Sequence, residues 1–270
     1  LRPADSELED EPKYTVTGLI KGTATLDEIR TLLLNWKPGE EPREYAKRVQ
    51  LNGILTKKTA RRVNDLVLRV FRPWFLVPDD RAATQLKALV KADIDRRILN
   101  ELVFIYKARS EAVLYDFVRK RFWPACQDGA LYLSTEEILD FLHESQEEGR
   151  VDGSWSSKTQ ERLARGILGA LNNIGFLREE KRYLYEYVYY FAHDCTIAYL
   201  AYDFHLAGLS DNATVNHSDW MLFGLARSQV LDRLARLDER AGMIVQQAGS
   251  VVQITWSYKT MDEVINAYSG

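Results

Sequence analysis

Lys158, Arg162 and Arg165 recur at i, i+4 and i+7, the spacing that sets three cations on one side of an α-helix. Leu163, Ile167, Leu168, Leu171 and Ile174 fall on the opposite arc, the hydroxyls of Ser156 and Ser157 open the segment, and Gly175 closes it. The chemistry this pattern can do is phosphate binding. Long cationic side chains neutralise successive phosphates, while hydroxyls and unbonded N–H groups at a helix start donate to phosphate oxygens. A second stretch has the same make-up: Thr56, Lys57 and Lys58 precede Arg61, Arg62 and Arg69, with Val63, Leu66, Val67, Val70, Phe71 and Trp74 on the apolar side. The wheel predicts that Lys58, Arg62 and Arg69 point outward, with Arg61 at the margin.

Surface helices carry Lys and Arg for solubility alone, and Asp65 and Glu161 interrupt both stripes. Recurrence is what points past that bland reading. At a constant spacing of 100, Leu55 falls on Trp155, Thr56 on Ser156, Lys58 on Lys158, Thr59 on Thr159 and Arg62 on Arg162, while Val63, Val67, Leu68 and Phe71 meet Leu163, Ile167, Leu168 and Leu171. Upstream, TLDEIRTLL (25–33) resembles STEEILDFL (134–142). Two related helix-turn-helix units are expected. After Gly175, FLREEKRYLYEYVYYF alternates charged and aromatic residues as a β-hairpin wing does, with Arg178, Lys181 and Arg182 at its start. Its tyrosines are expected mostly to pack, since aromatic residues suit half-buried strands, although they could also stack on unpaired bases.

Other chemistries are poorly supported. His193, Asp194 and Cys195 are adjacent, and neighbours along one element rarely face each other productively. The four histidines, at 143, 193, 205 and 217, show no metal-ligand spacing, and GLIKGTAT (18–25) has the wrong order for a phosphate loop. No enzyme activity, metal or cofactor is expected.

These elements need a helical frame. TATLDEIRTLLLNW starts at a Thr25 cap with acids in its first turn, REYAKRVQLNGIL closes near Asn52-Gly53, and the helix carrying Arg61 to Arg69 is expected to end at Pro73. A helical block follows over 79–122 with Pro124 as its stop, and STEEILDFLHESQEEG begins at a Ser134 cap. Beyond the aromatic run come further helices, a hairpin around Gly249, and a closing helix in TMDEVINAY. The expected fold class is mainly α: two helix-turn-helix units, the second winged, joined by a helical block and finished by a small C-terminal α+β element. The boundaries are 1–13 (a flexible acidic arm), 14–78, 79–124, 125–192 and 193–270.

At 270 residues and 46% hydrophobic the chain can bury a large core without staples. Cys126 and Cys195 form no CxxC or metal-spaced set, and LRPADSELEDEPK lacks a basic start and apolar core, so neither disulfides nor a signal peptide is expected. No apolar run approaches the roughly 20 residues that span a bilayer. A cytoplasmic protein with no membrane partner is the reading. Net charge is only −3, yet nine basic residues between Arg43 and Arg72 face Glu44 and Asp65 alone, while acids gather at 136–148. Segregation of this kind lets a nearly neutral protein present a positive face.

YTVTGLIKGTATLDEIRTLLLNW (14–36), RVFRPWFL (69–76) and ITWSYKTMDEVINAY (254–268) resemble the BrxA family of bacteriophage-exclusion (BREX) systems. The resemblance runs over most of the chain from Tyr14. It implies a non-catalytic accessory of an anti-phage locus that binds double-stranded DNA through helix-turn-helix elements, alongside other BREX proteins; a likeness to the RNA-binding factor NusB also attaches to the family. The resemblance transfers no site residue by position. Low sequence specificity is expected, because Lys and Arg stripes without placed Asn or Gln neutralise phosphates more readily than they read bases. Two other readings stay open: an assembly adaptor anchored on exposed Trp36, Trp74 or Trp220, and an RNA binder using exposed tyrosines.

Overall fold

The computed structural model describes residues 13–15, 17–21, 25–237, 239–249 and 251–268. Nearly all of the expected acidic arm (1–13), and Gly22 to Ala24 of the GLIKGTAT stretch, lie outside the described residues. The protein is mainly helical. After a short α1 (Thr17–Lys21) come α2 (Leu26–Asn35) and α3 (Pro42–Leu51). Thr25 and Glu28 cap the start of α2 reciprocally, each bonding the other's backbone N–H (3.2 and 2.9 Å), which satisfies donors that a helix start otherwise leaves open. The periodicity then holds as read: Val63, Leu66, Val67, Val70, Phe71 and Trp74 are all buried.

Pro73 does not end its helix. α4 (Ala60–Leu66), a π-helical turn (Val67–Phe71) and α5 (Arg72–Phe75) run on as one rod. Proline brings no N–H and crowds the carbonyl four residues back. Here the Arg72 N–H reaches Val67 O, one residue further than an α-helix allows, and the widened turn admits the ring. α6 (Arg81–Lys91) and α7 (Arg96–Ser110) follow, and then the same device recurs. α8 (Ala112–Phe117), a π-turn (Val118–Phe122) and α9 (Trp123–Gln127) continue through Pro124, with the Trp123 N–H on Val118 O. Asp65, Val67, Arg69, Phe71 and Pro73 recur 51 residues on as Asp116, Val118, Lys120, Phe122 and Pro124, and the ion pairs Arg69–Asp65 (3.5 Å) and Lys120–Asp116 (3.1 Å) recur with them.

Strand β1 (Tyr132–Ser134) leads into α10 (Thr135–Glu147), again reciprocally capped by Ser134 and Glu137, and a loop joins α10 to α11 (Ser157–Ile174). Gly175, in the left-handed region at φ 90°, ends α11 and turns the chain into β2 (Leu177–Lys181) and β3 (Leu184–Tyr187). The expected hairpin is present and gains an unforeseen third strand: the antiparallel sheet has the order β1-β3-β2, with Tyr185 opposite both Leu133 and Glu179. α12 (Asp194–Leu206), α13 (Asp211–Val215), a 3-10 turn (Ser218–Phe223) and α14 (Arg227–Ala235) precede the small sheet of β4 (Met243–Ala248) and β5 (Val251–Trp256), and α15 (Met261–Tyr268) closes the chain.

The spacing of 100 does not carry over to the elements. The ten-residue α3 stands between α2 and α4, where α10 and α11 are joined by a loop alone, and the helix caps fall at Thr59 and Ser156, out of step with that spacing. Amphipathic helices match one another on their apolar stripe whatever their connection.

One cluster of buried side chains runs from Tyr14 to Ile265, across all the boundaries drawn from the sequence after residue 14. Tyr14 pins the chain start to the α10–α11 loop, its N–H on Arg150 O (2.8 Å), its carbonyl accepting from Asp152 N–H (3.1 Å), and its hydroxyl on Asp116 (2.6 Å). α1 then crosses α11 at Gly166, where an added Cβ would meet Leu19 O at 2.9 Å, so only glycine permits the crossing. Farther in, Arg109 bridges Asp203 (2.7 Å) and Asp219 (2.6 Å), and Asp219 also accepts from Tyr115 (2.7 Å). Burial raises the cost of these charges, and mutual pairing compensates it: the Asp219 carboxyl is held below its ordinary value against its burial by Arg109.

Candidate nucleic-acid interface

α11 presents the clearer of two cationic surfaces. Ser156 adopts the extended cap conformation, and its hydroxyl accepts the Thr159 N–H (3.3 Å). Ser157 and Lys158 therefore lie in the first helical turn, exposed, as expected from the sequence. Leu163, Ile167, Leu168, Leu171 and Ile174 are buried, which fixes the rotation of the helix and sends Arg162 and Arg165 to solvent. Lys158 and Arg162 form no ion pair among the described residues. Among the described residues Arg165 donates only to the Glu161 carbonyl one turn back (3.3 Å), and it stands beside Tyr183 and the start of α10.

The hairpin contributes less than expected. Arg178 sits directly across from Glu186 in the β2–β3 register and is ion-paired with it. Lys181 is exposed at the register shift before the turn, and Arg182 is exposed with its guanidinium 4.8 Å from the Tyr183 ring centre. Tyr183 and Tyr189 are exposed, Tyr189 almost completely at 91%, whereas Tyr185, Tyr187 and Tyr190 pack against the core.

The first basic segment departs from its predicted geometry. Helix α4 begins after Thr59, whose hydroxyl accepts the Arg62 N–H (3.2 Å), so Thr56 and Lys57 occupy the preceding turn rather than the helix start. Lys57 has φ 60° there, a conformation that costs a side-chain-bearing residue. Lys58 points back to α2 and pairs with the buried Glu28 at 2.6 Å. Burial pushes the Glu28 carboxyl up, but Lys58, the Thr25 N–H and Arg62 together hold it below its ordinary value. Arg62 is half-buried on this same side, and Arg61, assigned by the wheel to the margin, is the exposed one. Lys58 is exposed as the wheel has it, but its charge goes to the buried Glu28 carboxylate on the neighbouring helix, and Arg62, expected to point outward, is half-buried.

What the structure assembles instead is an open groove of about 1190 Å³ between α3 and the α4–α5 rod. Arg61 and Arg69 line it, joined by Arg43, Lys47 and Arg72. Arg43, Arg61 and Arg72 are exposed with no ion pair among the described residues, while Lys47 shares Glu44 (2.7 Å) and Arg69 shares Asp65. Arg43, Lys47 and Arg72 belong to the cationic run counted in the sequence, but only the packing of α3 beside α4 shows that they converge with Arg61.

The adjacent His193, Asp194 and Cys195 form a helix start: His193 Nδ1 accepts the Cys195 N–H (3.1 Å), Asp194 pairs with Arg233 (2.8 Å), and burial pushes the Cys195 thiol up to about 12. Among the described residues no group of three His, Cys, Asp or Glu side chains could hold a metal ion, and no helix is long and apolar enough to cross a membrane.

A largely helical chain with two cationic helical surfaces over one core is the class these observations define. The chain belongs to the BrxA family, whose model matches residues 12–189, a span that contains both surfaces. That membership suggests a role in BREX phage defence. No curated protein matches the chain.

Proposed function

We propose that this protein is a non-catalytic accessory of BREX phage defence that binds duplex DNA, mainly through backbone phosphates. One observation carries the reading: along α11 the apolar side is buried while Lys158 and Arg162 stand in solvent without a carboxylate partner among the described residues. The surrounding order supports it. The α8–α9 rod, β1, α10, α11 and the β2–β3 hairpin, with sheet order β1-β3-β2, follow the sequence of a winged helix-turn-helix in which α11 is the reading helix. The α3–α4 groove supplies a second helical surface, with Arg43, Arg61 and Arg72 available for phosphates. The start of α11 presents Lys158 and Arg162 while its asparagines, Asn172 and Asn173, stand at the far end, an arrangement that favours neutralisation over base readout, so low sequence specificity follows.

The adaptor reading loses its anchors, because Trp36, Trp74 and Trp220 are buried. Exposed Tyr183 and Tyr189 keep single-stranded RNA as the competitor to test. The deciding experiment is a duplex-DNA mobility shift at several salt concentrations, with unlabelled single-stranded RNA as competitor. Affinity is expected to fall steeply with salt, by a slope of about 0.9 for each phosphate neutralised. No shift at low salt, or displacement by RNA at far lower concentration than by duplex DNA, overturns the proposal.

A further inference from the structure

A cavity of about 860 Å³ opens between α2, α7 and α11. Its size is that of a small-molecule site. Leu26, Ile29, Val103 and Phe104 give it apolar walls, and Lys107 reaches it from α7 although that residue is only 8% exposed. An ammonium carries three donors and no acceptor, and burying one without a partner is costly. Lys107 has no hydrogen bond or ion pair among the described residues; its Nζ lies 5.1 Å from the Trp74 ring centre. Glu111, between α7 and α8, is turned toward α1 and Trp74, accepting from Trp74 Nε1 at 3.2 Å. Burial, eased by Glu111, pulls the Lys107 ammonium down to about 8.

The rim adds polar groups of the matching kind. Arg165 lies on it with no carboxylate partner among the described residues, and Asn100 is there too, donating to Asn173 O (2.7 Å). Asp95 on the rim caps the Arg97 N–H (2.6 Å), its charge set against Arg96 and Arg97 on the same edge. Gly169, exposed within α11, also lines the cavity, and a Cβ there would meet nothing within 4 Å, so a larger side chain can be placed on that wall without a clash.

From these features we infer that the cavity binds a small organic phosphate of nucleotide size, its anionic group against Lys107 and its ring body against the apolar walls. This goes beyond the DNA-binding reading and does not depend on it. The test is isothermal titration of the full chain with AMP, GMP, CMP, UMP, adenosine and inorganic phosphate, without DNA. At least one nucleoside monophosphate is expected to bind with Kd below about 1 mM, which is near −4 kcal/mol, and at least tenfold more tightly than adenosine or inorganic phosphate. Lys107→Met is expected to weaken it at least tenfold, and Gly169→Phe, which fills the space from the opposite wall, to abolish it, with circular dichroism confirming that both fold. Absence of binding by all four nucleotides, equal binding of inorganic phosphate, or unchanged affinity in both variants overturns the inference. The Lys107→Met variant is expected to shift duplex DNA as wild type does, so failure here and failure of the DNA reading are separable.

Discussion

The α4–α5 rod and α11 carry nearly the same pattern of cations and apolar residues, yet the fold treats them oppositely. On α11 the Lys158 and Arg162 charges stay in solvent. Along the first segment, Lys58, just before α4, is spent on Glu28, Arg62 is half-buried, and Arg69 shares Asp65, so the cations left unpaired among the described residues are Arg61 and Arg72, with Arg43 from α3. The difference lies in the neighbours: α2 brings a buried carboxylate against the start of α4, and the described structure brings none against Lys158 or Arg162. A basic stripe thus keeps its charge in solvent only where the adjoining helices leave it uncompensated.

The comparison is broken most forcefully by charge reversal. Lys158→Glu with Arg162→Glu is expected to weaken duplex-DNA binding by at least 100-fold at moderate salt and to flatten the salt dependence by about two phosphate contacts. Arg61→Glu with Arg72→Glu is expected to do the same more weakly, and Lys58→Glu with Arg62→Glu to act chiefly on stability. Equal losses of binding from all three pairs, measured by mobility shift on folded protein, would erase the distinction.

Stability sharpens it next. Gly166→Ala drives a Cβ into the Leu19 backbone and is expected to cost about 1–3 kcal/mol in urea unfolding. Lys58→Met leaves Glu28 buried without its cation and is expected to cost about 1–2 kcal/mol, less than a fully buried pair because Lys58 is itself 36% exposed. Lys158→Met is expected to cost nearly nothing. The Lys58 effect also has a pH signature. Glu28 has a folded pKa below its ordinary value of 4.5, so its contribution is in place above that value and is lost as pH falls through the lower, folded one. The gap between wild type and Lys58→Met is therefore expected to shrink between pH 7 and pH 3, and a gap independent of pH would contradict the pairing. At Gly169 the sign reverses: alanine gains helix propensity and meets no neighbour, and stabilisation by about 0.5–1 kcal/mol is expected.

The sequence by itself determined the helices, their caps at Thr25, Ser134 and Ser156, their buried sides, and the hairpin after Gly175, because each is encoded within a few turns of chain by period, hydroxyl and glycine. It also marked the cationic run from Arg43 to Arg72. It misjudged Pro73 and Pro124, since a π-turn lets a helix pass a proline and leaves no trace in the hydrophobic period. The third strand β1 was missed for a related reason: three residues carry too little pattern, and their partner lies about 50 residues away in β3. Only the tertiary structure decided which cations remain free, that α3 completes a groove with Arg61, and that Lys107 faces a cavity. Those outcomes depend on which carboxylate or void stands opposite a side chain from a distant element, and charge and burial act through space with no record in local spacing.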